Sequence, residues 1–158
     1  MSRLARLAFA AILACAAVAP LAHLSPVAAA AESDADKALA TLNAYRKSKG
    51  LGAVKLDSTL TKMAQQLADA CVKAKGKCDH NTGGSFADRL RKAGAKAGYG
   101  AENLYKNADS VEAAFAWWKA SKIHNSNMLI PQVTKLGFAR SPASGKGYWV
   151  LIVTDAPN

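Results

Sequence analysis

The run Tyr148-Trp149-Val150-Leu151-Ile152-Val153 constrains the fold of this chain more than any other stretch. Its residues are aromatic or branched and apolar, a composition that suits a pleated strand. Almost no position in it is polar enough to face water, so the strand must be central and covered on both faces. Helices on either side of a small sheet follow.

The neighbouring segments supply the rest of that sheet. Residues 135–140 read as a strand, and Ser141-Pro142-Ala143-Ser144-Gly145-Lys146 reads as the hairpin joining it to residues 147–154. Gly100-Ala101-Glu102-Asn103-Leu104-Tyr105 alternates well enough for a further strand. Four segments read as helices. Residues 35–49 carry Ala38, Leu42 and Tyr45 at helical spacing and stop at Gly50. Asp57-Ser58 can cap a second helix with the apolar stripe Leu60, Met63, Ala64, Leu67 and Cys71. Ser85-Phe86-Ala87-Asp88 starts a short third one that ends at Gly94. Asp109-Ser110-Val111-Glu112 starts the fourth, where Val111, Ala114, Phe115 and Trp118 share a face. The expected class is α+β, with about four helices flanking a small, mainly antiparallel sheet. There are no internal repeats and no domain linker, so residues 32–158 form one domain.

Residues 1–31 have a different character. Arg3 and Arg6 precede the alanine-rich apolar stretch 7–19, and Ala28-Ala29-Ala30-Ala31 offers an A-x-A cleavage site just before Glu32. Pro20, His23 and Pro26 interrupt the apolar run, which argues against a retained membrane anchor. Ile12-Leu13-Ala14-Cys15 resembles a lipoprotein box only weakly, because Leu13 fits it poorly; lipidation at Cys15 is therefore disfavoured. A secretory signal peptide implies a secreted or periplasmic protein.

Export decides how the cysteines are read. Cys15 leaves with the signal, and Cys71 and Cys78 remain as an even pair in an oxidising compartment, so they are expected to form a disulfide. Half of a zinc site, or a reactive thiol helped by His80, would need free thiolates, which export disfavours.

The formal charge is +10, falling to +8 once Arg3 and Arg6 are removed with the signal. This favours anionic surroundings such as envelope polymers or lipid head groups. Lys73, Lys75 and Lys77 are expected along one helix and Arg89, Arg91 and Lys92 along another, with no aromatic residues interleaved. That pattern suits a solvated surface and argues against a specific nucleic-acid groove.

Beyond the signal only two histidines remain, His80 and His124, each expected near the end of a helical segment in a polar loop. Glu102 lies within a half-buried strand, where a carboxylate needs a partner. Two imidazoles and a carboxylate suit a divalent metal such as zinc, or a proton network. A histidine that merely satisfies the end of a helix, and a glutamate at a sheet edge, are the bland alternatives.

Several stretches, taken in order, resemble the CAP superfamily of cysteine-rich secretory, antigen 5 and pathogenesis-related proteins. They are Tyr45-Arg46 through Gly50-Leu51, Leu56-Asp57 through Leu60, and Asp79-His80. Gly100-Ala101-Glu102-Asn103-Leu104 is similar to the family's G-E-N box with one residue inserted. Trp118, Ser121, His124 and Asn127-Met128-Leu129 fall as in its bacterial W-x-x-S-x-x-H-x-x-N-I-L box, and 135–139 and 148–150 resemble its closing strands. The resemblance spans residues 38–154.

It implies an α-β-α sandwich with a central cleft where the family places two histidines and two acidic residues, often with zinc or magnesium. His80, Glu102 and His124 fill three of those places, and the fourth falls near Ser121, where bacterial members often carry serine. His80 and His124 are thus the expected metal ligands. Family members are associated with sterol or fatty-acid binding, channel modulation, antimicrobial action and claims of proteolysis, without a common reaction. The expected function is accordingly binding of a divalent cation, a lipid or another envelope ligand without established catalysis. The alternative is a peptidase-like envelope hydrolase in which Ser121 and His124 pair one helical turn apart and Glu102 orients the imidazole. No oxyanion hole is identifiable.

Overall fold

A computed structural model describes residues 32–75, 77–142 and 146–155. The expected signal peptide, Cys15 and the centre of the 141–146 hairpin lie outside the described residues. In chain order the elements are α1 (Asp34–Ser48), β1 (Lys55–Leu56), α2 (Ser58–Lys73), α3 (Phe86–Lys92), β2 (Gly100–Ala108), α4 (Val111–Ala120), α5 (Lys122–Met128), β3 (Lys135–Ser141) and β4 (Gly147–Thr154).

The sheet order is β1-β3-β4-β2. β4 runs antiparallel to both β2 and β3, and only the two-residue β1 pairs in parallel. Every residue of β4 is buried, as its apolar run requires. Its side chains alternate between two cores. Trp149, Leu151 and Val153 pack with α1, α4 and Met128 of α5, whereas Tyr148, Val150 and Ile152 pack with α2 and Leu90 of α3. The result is the expected α-β-α sandwich.

The helices start where capping chemistry places them. Ser33, Asp57, Ser85 and Ser110 each accept a backbone N–H of the first turn, satisfying a donor the helix itself cannot. Lys73 closes α2, so Lys75 and Lys77 sit in the following loop and not along the helix as expected. Cys71 and Cys78 are joined, tying the buried Cys71 in the last turn of α2 to that loop.

Two close associations fix the layers. A Cβ at Gly137 of β3 would collide with the main chain of Leu60, so α2 lies directly on the strand. On the opposite face Arg46 of α1 is wholly buried. Its guanidinium donates to the carbonyls of Gly52, Met128, Ile130 and Val133, and so secures the loop between α5 and β3.

Among the described residues five helices are present where about four were expected. The stretch read as the end of the fourth helix breaks at Ser121, whose backbone is extended (φ −91°, ψ 120°), and α5 begins at Lys122.

Candidate functional site

Glu102 projects from β2 toward the α2/α3 side of the sheet, with only 3% of its side chain exposed. A carboxylate so deeply desolvated needs both oxygens satisfied. One, Oε1, lies 2.9 Å from His80 Nδ1, and the other, Oε2, lies 2.6 Å from Arg89 Nη2. The basic surface expected for the third helix is therefore wrong at Arg89, which is buried, while Arg91 stays exposed and pairs with Asp88.

Arg89 also shapes the loop that carries His80. Its Nη1 donates to the carbonyls of His80 (2.9 Å), Thr82 (3.3 Å) and Gly84. Asp79 completes the turn by accepting from the Asn81 N–H at 2.9 Å. One guanidinium thus holds both the carboxylate and the loop that brings the imidazole to it. Sequence reasoning missed this residue. The available signal was its place in α3 beside Leu90 and one turn after Phe86, on the side that packs inward.

His124 comes from the other face. It belongs to the first turn of α5, inside a helix and not in a loop after one. Asn103 of β2, fully buried, donates to the His124 carbonyl at 2.9 Å and accepts from Asn127 Nδ2 at 2.9 Å. Tyr45 of α1 donates to Asn125 Oδ1 at 2.8 Å, so α5 is held by both its neighbours. Ser121 sits at the N-cap, yet its hydroxyl makes no capping bond and instead lies 2.7 Å from His124 Nδ1. The imidazole also tilts against Trp117, with ring centroids 4.9 Å apart.

His124 feels both its burial and the neighbouring His80. Burial lowers the His124 pKa, and a positive charge on His80 lowers it further. At neutral pH His124 is therefore an uncharged imidazole.

The four candidate residues divide into two pairs, Glu102–His80 and Ser121–His124. This corrects two expectations. Glu102 does not orient His124, because both its oxygens are committed to His80 and Arg89. In a serine-hydrolase triad the serine meets one ring nitrogen and the carboxylate holds the other; here the serine occupies Nδ1, the nitrogen the carboxylate would need. Nor does the set His80, Glu102 and His124 fit a three-ligand metal site. Among the described residues no three His, Cys, Asp or Glu side chains are grouped to hold an ion. Glu102 is suited to a supporting role, since a carboxylate on His80 Nδ1 leaves Nε2 as the free ring nitrogen.

Comparison with known proteins agrees with this architecture. The cysteine-rich secretory protein family, CAP, matches residues 39–153. The uncharacterized protein YkwD of Bacillus subtilis (strain 168) is 31% identical over 103 residues, covering 64% of this chain and 40% of that protein. The chain thus spans well under half of that relative. An extracellular protein containing an SCP domain from Bacillus anthracis str. Ames superposes with a TM-score of 0.71 at 19% identity, over 77% of this chain and 40% of that one. An outer surface protein from Borrelia burgdorferi gives a TM-score of 0.71 at 17% identity, over 78% of this chain and 93% of its own. These likenesses establish a shared fold. With the family match running from α1 to the end of the central strand, the chain belongs to the CAP family of cysteine-rich secretory proteins.

Proposed function

We propose that this is a secreted or periplasmic CAP-domain protein that binds its ligand and does not turn it over. The ligand is a divalent cation held between His80 and His124, together with a lipid or other envelope component. The observation that carries the proposal is the clamp on Glu102. Arg89 neutralises the carboxylate and holds the His80 loop, so His80 keeps a fixed ring and an unused Nε2. A neutral His124 offers a second Nε2 in the tautomer whose Nδ1–H donates to Ser121. Two imidazoles suit zinc, with water or the ligand completing the shell; magnesium prefers oxygen and would bind more weakly. When bound, the ion would supply a positive point for a carboxylate or phosphate.

Calorimetric titration of the purified protein with zinc and with magnesium tests this directly. Zinc uptake is expected in the parent protein and is lost in His80→Ala and in His124→Ala. Absence of zinc uptake, or uptake that survives both substitutions, overturns the cation site. Native mass spectrometry of protein purified from its own host tests for the envelope ligand.

The Ser121–His124 contact of 2.7 Å is the specific reason to retain an envelope hydrolase as the second reading. Against it stands the commitment of Glu102 to His80. Hydrolysis that persists in Ser121→Ala would eliminate that mechanism.

A further inference from the structure

β2 is the last strand of the sheet, so its outer edge carries main-chain groups that no strand among the described residues pairs. Two hollows are lined in part by this strand. The first, of about 310 Å³, is walled by Tyr105, Trp117 and Tyr148; the second, of about 290 Å³, by Lys75, Lys106 and Lys146. Lys106 and Tyr148 line both, so the hollows are adjacent. None of the described residues lining either is acidic.

The aromatic end is built for contact. Tyr105 stacks beneath Trp117 with centroids 4.6 Å apart, and Trp117 remains 42% exposed. The indole is thus supported by Tyr105 and flanked by His124, and part of it stays open to solvent. Toward the other end, Lys106 Nζ stands 5.5 Å above the Tyr148 ring. Tyr148 is only 8% exposed, and its hydroxyl finds no hydrogen-bond partner among the described residues. The two non-glycine residues with left-handed backbone, Lys75 (φ 49°) and Asn107 (φ 75°), both border the basic hollow. Asn107 falls where the β2/β4 register shifts, a bulge that re-aims the strand's side chains.

We propose that this groove binds an acidic polysaccharide. A pyranose ring presents polarised C–H bonds on one face, and these are attracted to the electron-rich face of an indole. Its hydroxyls, each both donor and acceptor, match the alternating N–H and C=O groups of an open strand edge. Its carboxylate or phosphate groups pair with the three lysines. An acyl chain would leave the strand edge unsatisfied. A single-stranded nucleic acid needs successive platforms, whereas Tyr105 and Trp117 are stacked on each other and offer one. Neither His80 nor His124 lines the hollows, although the His124 ring packs against Trp117, so the proposal needs no bound cation.

The test is binding of the intact protein to polygalacturonate, with dextran as the neutral polysaccharide and a twenty-residue oligothymidylate as the nucleic acid. Polygalacturonate is expected to bind and to perturb tryptophan fluorescence, while dextran binds far more weakly. The double variant Lys106→Gln/Lys146→Gln, at exposed positions, should lose about tenfold or more in affinity. Lys47→Gln/Lys62→Gln removes the same charge from exposed positions elsewhere and should change affinity by less than about twofold. Trp117→Ala should weaken binding and abolish the fluorescence response. Binding should persist in excess EDTA, separating this result from failure of the cation site. Equal losses in the two lysine pairs, equal binding of dextran, or tighter binding of oligothymidylate would each overturn the proposal.

Discussion

Arg89 Nη2 and Glu102 Oε2 meet at 2.6 Å with 7% and 3% of their side chains exposed. Such a pair contributes little over a well-packed apolar pair, but losing one member strands the other's charge away from water. Glu102→Ala and Arg89→Ala should each cost about 3–5 kcal/mol, and Arg89→Met/Glu102→Leu should cost less than the sum of the single losses. Urea denaturation of the four proteins measures this.

The lowered pKa of His124 has a definite sign. Between that value and the ordinary 6.5, the unfolded chain binds more protons at this position than the folded one. Stability from this group is therefore complete above pH 6.5, declines as pH falls through the lowered value, and levels off below it. NMR titration of the ring should give a midpoint below 6.5 that moves up in His80→Ala, because the opposing charge is removed. A midpoint unmoved by His80→Ala would show the two rings to be independent.

Reduction of Cys71–Cys78 releases a loop with a sequence separation of 7. In the chain-entropy model that loop is worth about 2.5 kcal/mol, so Cys71→Ala/Cys78→Ala should lower the unfolding free energy measured in urea by about that amount. The same loop leads into Asp79-His80, and amide exchange should quicken there while the α4/α5 face is unchanged.

Gly137→Ala places a methyl group against the main chain of Leu60. Main chain cannot move aside as a side-chain tip can, so a loss of about 2 kcal/mol or more is expected by thermal denaturation. Gly52→Ala, where nothing lies within 4 Å of the added carbon, serves as the control and should be near neutral.

The features legible in the sequence are those that repeat. The unbroken apolar run of β4 gave away a strand with two covered faces, and the stripe from Leu60 to Cys71 gave away α2. The caps at Asp57, Ser85 and Ser110 marked helix starts because their chemistry is local. Site residues His80, Glu102 and His124 stood out as polar groups in unexpected surroundings. Their pairing did not, because it depends on Arg89, thirteen residues from Glu102 along the chain and brought to it only by the packing of α3 on the sheet. The break at Ser121 was hidden for a similar reason: 111–128 is compatible with one helix, and the bend is enforced by Asn103 and Tyr45 gripping α5 from outside. At two residues, β1 is too short to show any period.

Arg46 gives the first helix authority over the second half of the chain. The carbonyls of Met128, Ile130 and Val133 take their hydrogen-bond donors from a side chain more than eighty residues earlier. A fragment beginning after Arg46 would retain every candidate site residue and still lose the anchor behind α5. Trimming the domain at its start would therefore be felt first at His124, far along the chain from the cut.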